Sequence, residues 1–581
     1  MKSHFEKYRE IWLIDFEFQA LPGEKQDVIC MVGHEQFSGR VIRLWADQLA
    51  RLSTSPFETG DDVLVVAYFA SAEMGCFLSL GWPLPCNVLD LYVEFRNMTN
   101  GKGTIGGNGL LGALQHFGED GIEHVEKTEM RDLAIRGGPY TESEKLALLD
   151  YCESDVLALK RLLPHLSFKI NWPQALMRGR YMQAVSMMEW YGIPIDIVML
   201  AKLRQHWNSV KEKLVRTIDD EYRVYEGISF SSKRFADYVD RNGISWPRLM
   251  SGKLALDDET FKSMSKSFPQ LTPLRELRRS LGTMRSFDLP VGKDGYNRCL
   301  LSPFSAKTSR NQPSTTKFPF GLPAWMRSFI QPKPGRSLAY IDWSQQEFGI
   351  AAALSGDEAM MEAYRSGDPY LTFARQAGAV PHDATKESHK NEREQYKQCA
   401  LAVQYGMGER TLAARLGKPQ IEGYELLQKH KRTYHQFWRW SEGAVNCGLF
   451  GRPLQTVFGW TLNPTSNPNP LSLANFPVQA NGAEMLRLAI ILATEQGVRV
   501  CAPIHDAVLI EAPTGQIEAS VNTMQLAMAE ASRIILRNLE LRSDVKYIHS
   551  PDRYMDERGV EMWDRVVSLI TEIEENDTCV S

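Results

Sequence analysis

Two aspartates that are far apart in the sequence, Asp342 and Asp506, each follow or interrupt an apolar run typical of a buried strand. Asp342 ends "LAYID", and Asp506 lies within "APIHDAVLIEA". Carboxylates on neighbouring buried strands repel each other, and their pKa values rise unless a cation lies between them. Such oxygen ligands suit Mg²⁺ and substrate phosphates, so the pair indicates metal-assisted phosphoryl transfer. For Asp506 alone, the tip of a hairpin is an equally good interpretation.

A segment between these aspartates carries the complementary charge. Its sequence, "REQYKQCALAVQYGMG", contains a residue of interest at every fourth position: Arg393, Lys397, Leu401 and Tyr405. Residues at this spacing share one face of a helix. Two cations, an apolar side chain and a ring suit the triphosphate, sugar and base of a nucleotide. The alternative is an amphipathic helix with a charged first half.

Bulk composition narrows the class of protein that positions these residues. A length of 581 residues predicts about three to four domains. A hydrophobic content of 43% and a charged content of 24% are ordinary for a soluble protein, and no apolar run is long enough to span a bilayer. Nine cysteines without a CxxC pair favour free thiols in a reducing cytoplasm. The net charge of −5 argues against binding nucleic acid by bulk charge alone, but it leaves room for a local basic groove.

Residues 11 to about 165 alternate strand-like and helix-like runs, which predicts a compact α/β domain. Mostly helical patterns follow from Ala175 to Arg285 and from Gly356 to Asn446, and the last segment predicts an amphipathic helix. The segment "GKGTIG" satisfies GxGxxG, but it lacks a strand-to-helix context and is interpreted as a loop.

Several ordered segments resemble one enzyme family. "DWSQQEF", "RxxxKxxxLxxxYG" and "HDA" resemble motifs A, B and C of the family A DNA polymerases, the DNA polymerase I family. "TSRNQP" resembles the TGR segment of that family, and "NFPVQANGAE" resembles its N-A-P-x-Q-G-x-A-A segment. "GIPID" and "SFSSKRF" resemble the start and tip of its thumb. The resemblance covers roughly residues 11 to 550.

The resemblance implies a multidomain α/β and α+β fold, with a ribonuclease H-like exonuclease domain followed by a right-hand polymerase. The expected domains are the exonuclease-like domain (1–168), thumb (169–285), first part of the palm (286–355), fingers (356–468), second part of the palm (469–550) and a C-terminal helical tail of unknown role (551–581). The bacterial or bacteriophage type is implied. Because Asp15 comes so early, no preceding 5′-nuclease domain is expected.

The resemblance also implies roles for the motif residues. Asp342 and Asp506 hold two Mg²⁺ ions, with help from the carbonyl of Trp343. Glu347 occupies the steric gate, which crowds a 2′-hydroxyl and selects dNTPs over rNTPs. Lys397 binds phosphate and protonates the leaving pyrophosphate.

The remaining motif residues are implied to bind nucleotide or DNA. Arg393 contacts the γ-phosphate, and Tyr405 guards the templating position. His505 lies by the primer end, and Arg310 reads the minor groove of the primer-template. Asn475 and Gln479 contact template or primer.

Two positions depart from the family pattern. Leu401 stands where the family usually has Phe or Tyr, whose ring packs on the incoming sugar. A leucine packs less specifically, so altered rate and sugar discrimination are expected with activity retained. Ala507 stands where the family often has Glu, and the two metal ligands do not depend on that position.

The N-terminal domain carries a second candidate site. "LIDFEF" places Asp15 and Glu17 on one face of a strand, and "YCESD" places Tyr151 and Asp155 one helical turn apart. Taken alone, each pattern is weak. Together they resemble the DxE and YxxxD motifs of proofreading 3′-5′ exonucleases, in which four carboxylates hold two metal ions.

The fourth carboxylate of this site has no standard match. The family motif N-x-x-x-D corresponds here to "FASAE", which offers Phe69 and Glu73. Glutamate is one methylene longer than aspartate and still ligates Mg²⁺. Glu73 is therefore the predicted ligand, and Asp90 is the less favoured substitute.

The sequence thus predicts a template-directed DNA polymerase for replicative or repair synthesis, with 3′-5′ proofreading. The alternative is a 3′-5′ exonuclease whose polymerase module only binds DNA. Expected cofactors are two Mg²⁺ per site, with Mn²⁺ as a substitute. Expected partners are primer-template DNA and dNTPs, with a helicase, a single-strand binding protein or a processivity factor as further candidates. A monomer in the bacterial cytoplasm, or in the host cytoplasm for a phage enzyme, is expected, without a membrane.

Overall fold

The computed structural model describes residues 5–119, 124–285, 289–404 and 406–580. The chain folds into two units. The first comprises Met1–Gly192, Leu300–Gln312 and Leu338–Tyr547, and the second comprises Ile193–Cys299, Pro313–Ser337 and Ile548–Ser581.

A five-stranded sheet forms the centre of the N-terminal part of the first unit. Its order is β3-β2-β1-β4-β5, with β1 parallel to β4 and antiparallel to β2. The strands are β1 (Glu10–Gln19), β2 (Asp27–Glu35), β3 (Val41–Trp45), β4 (Val63–Ala67) and β5 (Val88–Asp90). The first half of β1 and all of β4 are buried on both faces, which is typical of a sheet covered by helices.

Helices cover this sheet. They are Ala46–Leu49, Ser71–Leu80, Leu91–Thr99, Leu110–His116, His124–Arg136, Glu142–Ser167 and Trp172–Tyr191. The helix Glu142–Ser167 begins with a capping box, in which the Thr141 side chain accepts a hydrogen bond from Glu144 N at 3.3 Å and Glu144 Oε2 accepts one from Thr141 N at 2.7 Å. The apolar face of this helix packs into the same core as the sheet, and this packing fixes which side of the helix faces the sheet.

The helix Trp172–Tyr191 belongs to this first unit, although the sequence analysis assigns it to the thumb. It packs against β5 and the helix Ser71–Leu80. The approach is close at Gly179, where an added Cβ would lie 1.9 Å from the Val88 carbonyl oxygen. The close packing explains why the helix stays with the N-terminal sheet.

A second, four-stranded sheet has the order β13-β14-β10-β15. Its strands are β10 (Arg336–Trp343), β13 (Val500–Ile504), β14 (Ala507–Pro513) and β15 (Ser543–His549). β13 and β14 form an antiparallel hairpin in which Ile504 pairs with Ala507. The hairpin that the sequence predicts is therefore confirmed, with His505 and Asp506 as its two turn residues.

Helices fill the chain between β10 and β13 and follow the hairpin. They are Gln346–Ser355, Glu358–Arg365, Pro369–Gln376, Lys390–Gln404, Glu409–Leu416, Gln420–Thr433, His435–Leu449, Pro470–Glu495 and Ile517–Ile535. A small hairpin, β11 (Leu454–Gln455) and β12 (Thr461–Leu462), lies before the helix Pro470–Glu495. The helix Pro470–Glu495 is buried along most of its length because it runs through the centre of this region.

The second unit is mainly helical. Its helices are Ile197–Gln205, Trp207–Tyr222, Ser232–Arg241, Asp258–Ser267, Thr272–Arg285 and Val560–Val580, with the short strands β6 (Ile193–Pro194), β7 (Tyr225–Glu226), β8 (Ser229–Phe230) and β9 (Tyr296–Asn297). The predicted C-terminal helix is confirmed. Trp563 packs edge-on against Phe329, with ring centroids 5.2 Å apart, and Lys213 Nζ lies 2.6 Å from Glu572 Oε1. The tail is thus part of the fold of this unit.

A buried ion pair joins two of the helices that cover the N-terminal sheet. Arg178 donates from Nε and Nη2 to the two carboxylate oxygens of Glu94, both at 2.7 Å. The two side chains are 3% and 2% exposed. Arg178 Nη1 also lies 3.5 Å from the carbonyl oxygen of Phe458. Two hydrogen bonds in a buried pair fix the mutual position of these elements.

In the described part of the chain, no helix has both the length and the apolar character needed to cross a membrane.

Arg178→Met should lower the free energy of unfolding by about 3–5 kcal/mol, because it leaves the Glu94 carboxylate buried without its cation. Urea unfolding at neutral pH measures the change. The matched control is Arg180→Met on the same helix, where a two-pronged pair with Glu495 is 38% and 49% exposed. The control should cost only about 0–1 kcal/mol. Equal losses in the two variants would contradict this view of burial.

Candidate active sites

Asp342 and Asp506 come together at one end of the second sheet. Asp342 is the penultimate residue of β10, and Asp506 lies in the turn between β13 and β14, next to β10 in the sheet. The backbone nitrogen of Trp343 donates to the carbonyl oxygen of Asp506 at 3.3 Å. His505 adopts a positive φ of 55°, which turns the chain so that Asp506 follows. The structure therefore brings together the four residues that the motifs A and C resemblance singled out here.

Electrostatic repulsion marks this end of the sheet. Burial, together with the nearby carboxylates of Asp506 and Asp544, raises the pKa of Asp342 to about 6. Burial also raises the pKa of Asp506, while the charges of His505 and Arg310 oppose that rise. Half-buried carboxylates that repel one another form a site in which a cation would be stabilised.

The helix Lys390–Gln404 confirms the predicted helical face, and its cations have acidic partners. Arg393 Nε donates to Asp368 Oδ2 at 2.5 Å, and Lys397 Nζ lies 3.5 Å from Glu394 Oε2. Leu401 is half-buried one turn further on. Tyr405, the fourth member of this face in the sequence, lies outside the described residues.

Glu347 lies on the first turn of the helix Gln346–Ser355, which follows β10. Its Oε1 atom is 3.7 Å from Arg310 Nη2. Burial raises the pKa of Glu347, and the positive charge of Arg310 opposes that rise. The predicted gate residue and the predicted minor-groove residue are therefore direct neighbours.

A cavity of about 560 Å³ lies beside Glu347. Its wall includes Asn475 and Gln479 of the helix Pro470–Glu495, and Gly406 after the helix Lys390–Gln404. Asn475 and Gln479 are both half-buried and lie one helical turn apart, so they share the face that borders the cavity. The two amides that the sequence predicts as DNA contacts are thus accessible from one space.

The N-terminal candidate residues also converge. The charges of Asp15 and Asp155 both raise the pKa of Glu73, whose rise comes mainly from burial. Burial likewise raises the pKa of Tyr151, and the charges of Asp155, Glu17 and Asp15 add to the rise. These effects require proximity, so all five predicted residues form one acidic cluster.

The elements of the N-terminal sheet region explain this convergence. β1 carries Asp15 and Glu17, the helix after β4 carries Glu73, and the helix Glu142–Ser167 packs on β1. Glu73 is 5% exposed, and its Oε2 atom has no hydrogen-bond partner among the described residues. A buried carboxylate oxygen without a donor is costly, which fits a cation as the missing partner.

Asp90, the less favoured alternative to Glu73, has a different role. Its two carboxylate oxygens accept hydrogen bonds from four backbone nitrogens: those of Phe69, Ala70, Tyr92 and Val93. Asp90 is the N-cap of the helix Leu91–Thr99 and also fixes the start of the helix that carries Glu73. This geometry favours Glu73 as the ligand and assigns Asp90 to the fold.

Within the described ranges, no three His, Cys, Asp or Glu side chains are arranged as a ready-made metal site. The donor chemistry still fits Mg²⁺, because both clusters offer hard carboxylate oxygens and one of those oxygens is buried without a partner.

Two residues near the polymerase-type site were missed by the sequence analysis. Asp544 on β15 raises the pKa of Asp342 and accepts a hydrogen bond from Ser344 Oγ at 2.5 Å. Asp368 holds Arg393 and caps the helix Pro369–Gln376. An aspartate before Pro is a recognisable helix start, so a cap at Asp368 was predictable. Its ion pair was not, because the partner is 25 residues away.

Comparison with known proteins assigns the fold. The structure superposes on the POL domain of Pol1 from M. smegmatis in complex with DNA primer-template and dNTP, with a TM-score of 0.69 and 18% identity, covering 97% of each chain. The fold is therefore that of a polymerase domain of this type, with mixed α/β content.

Sequence comparison finds a similar family and similar proteins. Residues 309–550 match the model for DNA polymerase family A. DNA polymerase I of Aquifex aeolicus is 22% identical over 68% of this chain and 74% of that protein. The DNA polymerase of Mycobacterium phage D29 is 25% identical over 58% of this chain and 57% of that protein. DNA polymerase I of Chloroflexus aurantiacus is 23% identical over 72% of this chain and 48% of that protein.

These relatives are thus matched over about half to three quarters of their length. The part of this chain that matches the model for DNA polymerase family A contains Asp342, the helix Lys390–Gln404 and Asp506.

Glu73→Gln should leave the free energy of unfolding at pH 8 unchanged or higher, because the neutral amide removes a buried, repelled charge. Asp90→Asn should lower it by about 1–3 kcal/mol, since one amide oxygen cannot accept all four backbone hydrogen bonds. Urea unfolding of the metal-free protein compares the two variants. A larger loss in Glu73→Gln than in Asp90→Asn would contradict these assignments.

The raised pKa of Asp342 predicts a pH-dependent stability. The native state holds the proton more tightly than the unfolded chain, so this contribution is fully present below the usual pKa of 3.8 and is lost as the pH rises through about 6. Asp342→Asn stays neutral, so without metal it should melt at a higher temperature than the wild type at pH 8. At pH 5 the gap should be smaller. An exposed control, Asp383→Asn, should show no such trend. A gap of equal size at both pH values would refute the prediction.

Proposed function

We propose that this chain adds dNTPs to a primer 3′ end, that Asp342 and Asp506 hold the metal ions of the reaction, and that the N-terminal cluster removes nucleotides in the 3′-5′ direction. The observation that carries the polymerase assignment is the pair of half-buried carboxylates, Asp342 and Asp506, that lie together at one end of the second sheet. A fold that only gripped DNA would gain nothing from burying like charges.

In the proposed reaction, the 3′-oxygen of the primer bonds to the α-phosphorus of the dNTP, and the bond from that phosphorus to pyrophosphate breaks. Mg²⁺ bound by Asp342 and Asp506, with the carbonyl of Trp343, would favour the ionised 3′-hydroxyl and stabilise charge on the leaving oxygen. Arg393 orients the γ-phosphate, and Lys397 donates a proton to the departing pyrophosphate.

Arg393 and Lys397 are already placed for an anion. Asp368 and Glu394 are the carboxylates that now hold them. A triphosphate has more charge and more acceptor oxygens than a single carboxylate, so it competes well for both cations. In the proposal, an arriving dNTP therefore takes the place of these carboxylates.

Sugar selection is assigned to Glu347 and Leu401. The Glu347 side chain crowds the position of a 2′-hydroxyl, and its contact with Arg310 restricts its rotation. Leu401 presents a smaller surface to the sugar than the Phe or Tyr that is usual in the family. The selection of dNTPs over rNTPs would therefore depend more on Glu347 in this chain. Because Leu401 packs less closely on the sugar, discrimination against 3′-modified sugars would be weaker.

The remaining DNA contacts follow from position. Asn475 and Gln479 border the cavity beside Glu347, so they are assigned to the template or primer strand. His505 lies in the turn next to Asp506 and is assigned to the primer end. Tyr405 is assigned to the templating position from its sequence alone.

The exonuclease assignment rests on the buried Glu73 oxygen and the converging charges of Asp15, Glu17 and Asp155. These carboxylates would hold two Mg²⁺, for which Mn²⁺ could substitute, and Tyr151 would orient the attacking water. The partners would be primer-template DNA and dNTPs, in the cytoplasm of a bacterium or of a phage-infected host. A nuclease with an inactive polymerase module is the second candidate, because the N-terminal cluster is built on a different sheet from the pair Asp342 and Asp506.

Primer extension with Mg²⁺ and dNTPs tests both halves of the proposal. Asp506→Ala should stop extension and still shorten the primer, whereas Asp15→Ala/Glu17→Ala should extend and no longer shorten it. Glu73→Gln should behave like that double variant. The exposed Asp383→Ala serves as a control that keeps both activities.

If the wild type shortens primers and never extends them, the nuclease alternative is correct. If Glu73→Gln digests single strands at the wild-type rate, the assignment of the fourth carboxylate is wrong.

A further inference from the structure

The backbone just before Arg310 has an unusual conformation. Ser309 has a φ of +61° and is fully buried. Residues with a Cβ pay about 1–2 kcal/mol for this left-handed region, which glycine enters freely. The TGR segment that "TSR" resembles has glycine at this position. Something in this chain must therefore hold Ser309 in place.

Arg487 provides that restraint. It lies on the helix Pro470–Glu495 and is 2% exposed. Its Nη1 atom donates to the carbonyl oxygen of Ser309 at 2.8 Å, and its Nη2 atom donates to Ser309 Oγ at 2.9 Å. Ser309 Oγ in turn donates to the carbonyl oxygen of Thr308 at 2.6 Å. One planar guanidinium thus fixes both the backbone and the side chain of Ser309.

Arg487 is itself held in one orientation. Its Nη2 atom lies 2.9 Å from Glu484 Oε2, and Glu484 Oε1 accepts a hydrogen bond from Thr456 Oγ1 at 3.0 Å. The guanidinium carbon lies 4.7 Å from the centre of the Phe304 ring. A buried ion pair is weak support for stability alone, because desolvation of both charges opposes it. The two hydrogen bonds that Arg487 donates to Ser309 point instead to a positioning role.

The residue that this restraint aims is Arg310. Its Nη2 atom reaches to 3.7 Å from Glu347, and its buried Nε atom has no hydrogen-bond partner among the described residues. A buried donor without an acceptor is costly, which fits an acceptor that arrives with the substrate. The minor groove offers such acceptors at purine N3 and pyrimidine O2.

We propose that Arg487 is a positioning residue for Arg310, which it aims at the minor-groove edge of the terminal primer-template base pair by holding Ser309 in its left-handed conformation. The proposal rests on the proposed polymerase function and deepens it. It explains why a charged pair is buried in the helix Pro470–Glu495, away from the metal-binding carboxylates, and why serine is tolerated at a position that favours glycine.

The test removes one acceptor atom from the DNA. Single-nucleotide extension is measured with a primer that ends in guanine and with one that ends in 3-deazaguanine, which lacks the N3 acceptor. All variants carry Asp15→Ala/Glu17→Ala so that the primer is not digested. The wild-type site should lose roughly tenfold or more in kcat/KM with the analogue, the effect of one charge-assisted hydrogen bond. Arg310→Ala should extend both primers with similar kcat/KM, so its guanine-to-analogue ratio should be near one.

Arg487→Lys keeps the charge but loses the fork that holds Ser309, so its guanine-to-analogue ratio should fall below about threefold. Ser309→Ala loses the Oγ atom that accepts from Arg487, but its Cβ still carries the steric cost of the positive φ. Its guanine-to-analogue ratio should therefore fall as well. The matched control is Arg178→Lys, another buried and paired arginine, which should keep the full ratio.

If Arg487→Lys slows both primers equally and keeps the wild-type ratio, its role is only structural and the proposal is overturned. Where Arg487→Lys does not fold, an unchanged ratio in Ser309→Ala overturns it. If Arg310→Ala still extends the analogue primer more slowly than the guanine primer, another residue contacts N3. The proposal that Arg487 positions Arg310 for this contact is then overturned. A protein that extends neither primer would refute the polymerase function itself.

Discussion

Repulsion between buried carboxylates is the constraint on which both candidate sites depend. Burial disfavours the charged form of each carboxyl group, and neighbouring carboxylates disfavour it further. Asp342 and Glu73 both carry this penalty, each through burial and through other acidic groups nearby. The fold tolerates the penalty because other residues hold the backbone at these points. The hairpin of β13 and β14 fixes Asp506, and Asp90 fixes the helix that presents Glu73.

The cations that the proposal assigns to substrate binding are each paired with a carboxylate. Arg393 pairs with Asp368, Lys397 with Glu394 and Arg310 with Glu347. Single pairs of this kind are partly exposed and contribute little to stability. They are strong enough to orient a long side chain and weak enough to be exchanged for phosphate or for a base edge. By contrast, the structural pairs Glu94–Arg178 and Glu484–Arg487 are almost completely buried.

The sequence predicted elements whose signals are local. The spacing of Arg393 and Lys397 gives a helix, the apolar runs around Asp342 and Asp506 give strands, and "TESE" gives the start of the helix that carries Tyr151. Glu73 could be predicted only through the family motif, because a lone acidic residue on a helix has no distinctive pattern. The domain boundaries and the residue roles stay predictions.

Other features depend on contacts between distant parts of the chain. Arg487 contacts Ser309 across 178 positions, and Glu94 contacts Arg178 across 84. Asp544 comes near Asp342 only because β15 is the neighbour of β10 in the sheet. Neither the hydrophobic periodicity nor a helix-capping residue in the sequence predicts contacts between such distant residues. Charged residues within an otherwise apolar helix, such as Glu484 and Arg487 in "GAEMLRLAII", are the available sequence signal, and they do not identify a partner.

Backbone strain adds an independent indication of where the chemistry lies. In the described ranges, nine residues other than glycine have positive φ, and four of them adjoin the candidate sites: Phe69, Ser309, Gln345 and His505. Phe69 precedes the helix of Glu73, Ser309 precedes Arg310, Gln345 lies between Asp342 and Glu347, and His505 precedes Asp506. Such conformations persist only where surrounding contacts over-determine them, and they concentrate where a side chain must be aimed. Backbone geometry therefore agrees with the positions of the two candidate sites, although the other five such residues lie elsewhere.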